Sequence, residues 1–163
     1  MCAWKVTLLS FALLLSSCVR TETRVLYDSF PMVMAPAVYE SLPRHIQEAE
    51  QAAQKDPNDH GPHFSLGYAY LMRGELALAE KEFLILTQLS PQSAGPYYEL
   101  ARICAATHRD DLALSYLQTA IELYPDFAEA HYAIAKVYEK KGDLTSAQCH
   151  YQRYSQLKRK PEE

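Results

Sequence analysis

Three kinds of segment are missing from this chain of 163 residues, and each absence excludes a class of function. Only five glycines occur and they form no glycine-rich loop, so a backbone cradle for phosphates is not expected. The formal net charge is −4 and no basic stripe alternates with aromatic residues, which argues against a nucleic-acid partner. The apolar stretch at residues 6–15 has about half the length that a membrane-spanning helix needs.

Histidine and cysteine, which often serve in metal sites and nucleophilic catalysis, are few and scattered. Of six histidines, only His60 and His63 lie close together, and no cysteine accompanies them. Cys104 and His108 share one helix at a spacing of four, but Cys104 falls at a core position, where a reactive thiolate is not expected. Cys149 falls at an outward position, so the two cysteines should be free thiols. No catalytic residue, metal or cofactor is predicted.

What the chain does contain is one pattern that recurs three times at a spacing of 34 residues. Each copy has a large residue, an aliphatic residue, a small residue and a tyrosine or cysteine, then an alanine and a bulky apolar or aromatic residue. The copies are His63, Leu66, Gly67, Tyr70, Ala79, Phe83 and Pro91; Tyr97, Leu100, Ala101, Cys104, Ala113, Leu117 and Pro125; and His131, Ile134, Ala135, Tyr138, Ala147 and Tyr151. This pattern resembles the tetratricopeptide repeat.

The resemblance covers residues 60 to about 159 and implies an all-α fold, a right-handed α-solenoid of three helical hairpins. The hairpins, called repeats 1, 2 and 3, are assigned to residues 60–93, 94–127 and 128–161. A single hairpin cannot bury its apolar face, so neighbouring hairpins should stack and share one core. The resemblance also implies a concave surface that binds another protein and performs no chemistry.

The ends of the helices can be placed within each repeat. Gly74 and Gly142 should end the first helices of repeats 1 and 3 in a left-handed conformation, and His108 takes that position in repeat 2. The second helices are predicted at about residues 76–89, 111–123 and 144–157. The small alanines of the pattern mark the places where the two helices of a hairpin come closest.

The N-terminus has the order of a secretory signal: Lys5, the apolar stretch, and then Leu15-Ser16-Ser17-Cys18. This order resembles the lipobox of bacterial lipoproteins. The resemblance implies removal of residues 1–17, acylation of Cys18, and a lipid anchor in the cell envelope. Val19 follows the cysteine, which in Gram-negative lipoproteins points to the outer membrane facing the periplasm. The alternatives are an ordinary cleaved signal or a short uncleaved anchor.

A tether is predicted at residues 18–40, because Pro31 and Pro36 interrupt any regular helix there. The alternative is that its apolar half binds a partner. A capping helix should follow at residues 41–57, with Ser41 as N-cap and with Ile46, Ala49 and Ala53 facing the repeats. It lies in the phase of a second repeat helix whose first helix is missing.

The repeat phase also assigns residues to the concave face of the first helices. The partner-binding groove is predicted to comprise Phe64, Tyr68, Met72, Tyr98, Arg102, Tyr132 and Lys136, aromatic and apolar at one end and charged at the other. Tyrosine and arginine are common at binding hot spots. The alternative is that the rings pack against neighbouring helices. The aromatic residues depart from the lysine–asparagine clamp with which some family members bind terminal carboxylates.

These observations together predict a membrane-anchored adaptor lipoprotein whose partner is another envelope protein. A narrower possibility is suggested by a loose resemblance to the pilotin lipoproteins that assist type IV pilus secretins. Another is a resemblance to repeat lipoproteins that dock peptidoglycan hydrolases or proteases. The alternative from a different functional class is an enzyme or a metal-binding protein. Self-association is expected, if it occurs, through the edge formed by the C-terminal repeat.

Overall fold

The computed structural model describes residues 36–159, with side chains from residue 41 onward, and this part of the chain contains seven α-helices. They are α1 (Pro36–Lys55), α2 (His60–Arg73), α3 (Leu76–Leu89), α4 (Ala94–Ala106), α5 (Asp110–Leu123), α6 (Ala128–Lys141) and α7 (Leu144–Lys158). Three hairpins, α2–α3, α4–α5 and α6–α7, are stacked through α3–α4 and α5–α6 contacts. The predicted all-α repeat fold is confirmed.

Left-handed residues end the first helix of every repeat, as the sequence predicts. Gly74 and Gly142 have φ angles of 73° and 82°, and His108 has a φ of 59°. In repeat 2 the amide of Arg109, which follows His108, donates to the carbonyl of Cys104 at 2.8 Å, which closes the turn. The histidine therefore adopts the turn that glycine makes in the other repeats.

The first residue of the repeat pattern also joins each hairpin to the turn before it. In all three repeats its side chain bonds to the carbonyl oxygen of the proline six residues earlier. The pairs are His63 Nε2 with Pro57 at 3.2 Å, Tyr97 Oη with Pro91 at 3.3 Å, and His131 Nε2 with Pro125 at 3.1 Å. A residue that is both large and able to donate is therefore needed here, which packing alone would not require.

Helix α1 is longer than predicted. It begins at Pro36, so Ser41 lies inside the helix and is not its N-cap, and residues 36–40 are helical rather than part of a tether. Pro36 suits the first position of a helix, whereas Pro43 lies within it and lacks a backbone donor. Leu42 and Ile46 are buried in the core shared with α2, and this packing offsets the missing hydrogen bond. The signal segment, Cys18 and residues 19–35 lie outside the described residues.

The core follows the repeat phase. Ala79 and Ala113 are fully buried and Ala147 is 3% exposed, which confirms the predicted close contacts within the hairpins. Cys104 is fully buried and Cys149 is exposed, as their phases predicted. Within α7 only Ala147 is buried, since no described helix covers the far side of α7. Self-association through this edge stays a prediction.

Gly67 meets a tight packing requirement. A β-carbon built on Gly67 would lie 2.9 Å from Cζ of Phe83, whose ring is fully buried in the same hairpin. At the equivalent positions repeat 2 has Ala101 opposite Leu117. The larger ring in repeat 1 is thus accommodated by the smaller residue facing it.

Candidate functional site

The concave face contains a pocket of about 460 Å³ between repeats 2 and 3. It lies mainly between the first helices of these two repeats, α4 and α6, which also touch each other. Apolar and aromatic residues predominate, with charged residues among them. The lining residues are Tyr98, Ala101, Arg102, Ala105, Asp110, Leu117, Tyr132, Ala133, Lys136, Val137, Glu139 and Lys140. The volume falls in the range of ligand pockets in proteins.

The structure divides the seven predicted groove residues into two groups. Tyr98, Arg102, Tyr132 and Lys136 line the pocket together. The other three lie in repeat 1 outside it: Phe64 and Met72 pack against the core, and Tyr68 packs edge-on against Phe83, with ring centroids 5.5 Å apart. In repeat 1 the predicted groove residues therefore pack against the protein itself, which was the alternative to a binding role. Tyr68 is nevertheless 39% exposed.

One of the repeat positions that differ between the two junctions lies in the wall of the pocket between repeats 2 and 3. Leu71 of repeat 1 is 7% exposed and belongs to the core that includes Ile103 of the next repeat. The residue 34 positions later is Ala105, which lines the pocket. The small side chain of Ala105 leaves open the space that a leucine fills one repeat earlier.

Glu99 was not predicted for this site: it does not line the pocket, but it holds Arg102, which does. It is 5% exposed, it accepts hydrogen bonds from Tyr68 Oη at 3.1 Å and Arg102 Nη1 at 2.9 Å, and it thereby joins the first helices of repeats 1 and 2. Burial raises the pKa of Glu99, while the charge of Arg102 and the hydrogen bonds from Tyr68 and Arg102 oppose that shift. The sequence feature that could have pointed to Glu99 is a carboxylate at the position where the other repeats have Ser65 and Ala133.

Two predicted groove residues are less exposed than a free binding surface would require. The ring of Tyr98 lies 4.9 Å from that of Phe127, and the guanidinium of Arg102 lies 5.7 Å from the centre of the Tyr98 ring. Burial raises the pKa of the Tyr98 hydroxyl. Both side chains are half-buried, so they support the wall of the pocket as well as facing it.

The remaining charges at the rim form exposed ion pairs. Lys136 donates to Glu139 at 2.9 Å, and Lys140 donates to Asp110 at 2.7 Å. Glu139 also accepts a hydrogen bond from Tyr151 at 3.0 Å. The hydrogen bond from Lys136, followed by that from Tyr151, lowers the pKa of Glu139. Exposed pairs of this kind contribute little to the stability of the fold.

The histidines are used in hydrogen bonds within the chain. His63 Nδ1 lies 2.7 Å from Glu82 Oε2 in a buried pair, and His60 Nε2 lies 2.6 Å from Ser90 Oγ. Among the described residues, no three histidine, cysteine or carboxylate side chains are grouped so that they could hold a metal ion. Burial raises the pKa of the Cys104 thiol, which disfavours the nucleophilic thiolate.

The stacked hairpins and the open pocket on their concave face place this protein in the class of helical-repeat scaffolds. Comparison with protein-family models identifies the family. Family models described as tetratricopeptide repeat match residues 46–94 and 128–161, and one described as TPR repeat matches residues 102–142. This chain belongs to the tetratricopeptide repeat family and is a scaffold for protein–protein interaction. The first match begins inside α1, consistent with α1 having the phase of a second repeat helix.

Curated relatives share the repeats but are longer than this chain. The protein ycf37 of Cyanophora paradoxa is 32% identical over 107 residues, which cover 63% of this chain and 59% of ycf37. The tetratricopeptide repeat and J domain-containing co-chaperone DNJ1 of Cryptococcus neoformans is 28% identical over 54% of this chain and 17% of its own length. The chain therefore spans less than two thirds of either relative.

Solved structures agree on the fold. A crystal structure of MamA is 24% identical and superposes with a TM-score of 0.69 over 78% of this chain and 77% of that chain. MamA 41-end from Desulfovibrio magneticus RS-1 is 19% identical, with a TM-score of 0.70 over 78% of this chain and 72% of that chain. At these identities the likeness concerns the helical repeat architecture alone.

Proposed function

We propose that this protein is a lipid-anchored adaptor of the bacterial cell envelope that binds another envelope protein in the pocket between repeats 2 and 3. The observation that carries the proposal is the convergence of Tyr98, Arg102, Tyr132 and Lys136, which come from two repeats, on one open pocket. Aromatic and arginine side chains around a partly desolvated depression have the composition of a binding hot spot. Tyr132 is 44% exposed and is the more exposed of the two tyrosine rings that line the pocket.

The anchor is supported by the sequence: the order of charge, apolar stretch, small residues and Cys18 is that of a lipoprotein signal. Among residues 36–159, no helix combines the length and the apolar character needed to cross a membrane. Acyl chains on Cys18 would hold the repeats close to the membrane surface, because two or more chains make attachment effectively permanent. Mass spectrometry of the N-terminal peptide tests this directly. Acylated Cys18 is expected in the wild type, and an unmodified N-terminus would refute the anchor.

The partner is tested by site-specific photo-cross-linking in cells. A benzophenone side chain placed at Tyr132, inside the pocket, should yield a covalent adduct with a defined envelope protein. The same group at Gln152, which is exposed on α7, is the matched control and should yield no adduct with that envelope protein. Equal adducts at both positions, or none at Tyr132, would mean that the pocket is not the binding surface.

The identity of the cross-linked protein selects between the narrower roles. A secretin-type outer-membrane component would indicate pilotin-like assembly work, and a peptidoglycan hydrolase or a protease would indicate docking. Lys136→Ala provides a second measurement of partner capture that is independent of folding. Lys136 is exposed, so its replacement should leave the free energy of unfolding within about 0.5 kcal/mol of the wild-type value. Tyr98 and Arg102 are unsuitable for this purpose, since their replacement would also disturb packing.

A further inference from the structure

We propose that the apolar part of the pocket is a socket for one leucine-sized aliphatic side chain of the partner, and that Ala105 determines this specificity. The inference rests on the proposed function and adds the chemistry of the occupant. The socket is defined by Ala101, Ala105, Leu117, Ala133 and Val137, which form its apolar part.

The chain itself shows what fits such a space. One repeat earlier, the position of Ala105 is occupied by Leu71, and that leucine is buried in a core that also includes Leu100 and Ile103 of repeat 2. At the junction of repeats 2 and 3 the corresponding space is open on the concave face. A partner's leucine that enters it reproduces a contact the fold already makes internally. Burying such a side chain is favourable because it removes apolar surface from water.

Charge balance at the socket selects an uncharged occupant. All five charged residues that line it have partners within the chain: Arg102 with Glu99, Lys136 with Glu139, and Lys140 with Asp110. No unbalanced charge is therefore offered to a terminal carboxylate, a phosphate or a cation. Burying a charged group there would cost desolvation without a compensating partner, whereas an aliphatic group loses nothing.

The walls are held in place before binding. Tyr98 is fixed between Phe127 and Arg102, and the Tyr132 ring lies 5.1 Å from that of Tyr154. Side chains that are already ordered lose little conformational entropy when a ligand arrives, so a shallow site can still bind measurably. The rigid rings also restrict the width of the side chain that enters.

The test is selection of a random dodecapeptide phage library on the full chain, immobilised through its C-terminus in detergent. Enriched peptides should share one leucine, isoleucine or methionine without a charged residue beside it. Ala105→Leu should fill the socket from within and weaken binding of the enriched peptides by about tenfold or more, as expected when a hot spot is lost. The folded state should persist, because leucine is a strong helix former and occupies this position in repeat 1.

Ala106→Leu is the matched control. It makes the same substitution one residue further along α4, at a residue that does not line the pocket, and where repeat 1 has Met72. Peptide binding should be unchanged in this variant. Failure to enrich peptides, enrichment of a charged consensus, or equal binding to wild type and Ala105→Leu would each overturn the proposal.

These experiments distinguish a failure of this inference from a failure of the proposed function. If benzophenone at Tyr132 captures an envelope protein but Ala105→Leu leaves that capture intact, the groove binds its partner without the socket. In that case the specificity inference falls and the adaptor function stands. If Ala105→Leu abolishes capture while circular dichroism and the melting temperature are preserved, both are supported. If Tyr132 captures nothing in the wild type and no peptides are enriched, both fail.

Discussion

Replacing Gly67 by alanine should test how tightly the first hairpin is packed. The added methyl carbon would lie 2.9 Å from Cζ and 3.1 Å from both Cε atoms of Phe83. Favourable carbon–carbon contacts lie at about 3.5–4.0 Å. The Phe83 ring cannot retreat easily, since it is fully buried and packs edge-on against Tyr68 at 5.5 Å. The helices of the hairpin must therefore separate slightly or the ring must leave its preferred rotamer.

Two effects of opposite sign set the magnitude. Overpacking of this kind costs about 1–3 kcal/mol. Replacing glycine by alanine inside a helix stabilises it by up to about 1 kcal/mol. The free energy of unfolding should therefore fall by up to roughly 2 kcal/mol in Gly67→Ala. In a Phe83→Leu background the methyl group has room, so the same replacement should become neutral or stabilising.

Urea unfolding of the wild type, both single variants and the double variant measures the coupling energy between the two replacements. This energy is the difference between the effect of the double variant and the sum of the two single effects. The double variant reproduces the pair Ala101 and Leu117 that repeat 2 already uses. The coupling energy should be about 1–3 kcal/mol, as for residues in direct contact. Gly95→Ala is the control, because a β-carbon there would meet nothing within 4 Å. Additive effects, or a Gly67→Ala variant as stable as Gly95→Ala, would refute the reasoning.

Two further predictions concern the histidine pairs. His63→Phe leaves the buried Glu82 carboxylate without its hydrogen-bond partner, so chemical denaturation should show a loss of about 1–3 kcal/mol. His63→Tyr combined with Glu82→Tyr, the pair found at the same positions of repeat 2, should recover most of it, and no recovery would contradict this account. In repeat 3, burial and then the charge of His131 lower the pKa of His150, so the unfolded chain binds this proton more readily. The associated stability is present above the unfolded pKa of about 6.5 and is lost as the pH falls through the folded pKa. The melting temperature of the wild type should therefore drop more steeply between about pH 7 and pH 5 than that of His150→Gln, and parallel curves would exclude the effect.

The sequence by itself was sufficient for the features that all three repeats share. The left-handed turns at Gly74 and His108, the buried alanines such as Ala113, and the inward Cys104 all follow from one 34-residue phase. A repeat makes this possible because each hairpin meets nearly the same neighbours, so an error in one copy conflicts with the other two. The class of the protein as an interaction scaffold was predictable for the same reason.

Features that depend on differences between repeats were decided only by the tertiary structure. The proline pattern hides the start of α1 at Pro36, a helix whose Leu42 is buried in the core shared with repeat 1. In the pocket between repeats 2 and 3, Ala105 stands where repeat 1 has the buried Leu71. Whether a concave residue is open or buried thus depends on the size of its neighbours in the adjacent repeat, and that contact is set in space rather than along the chain.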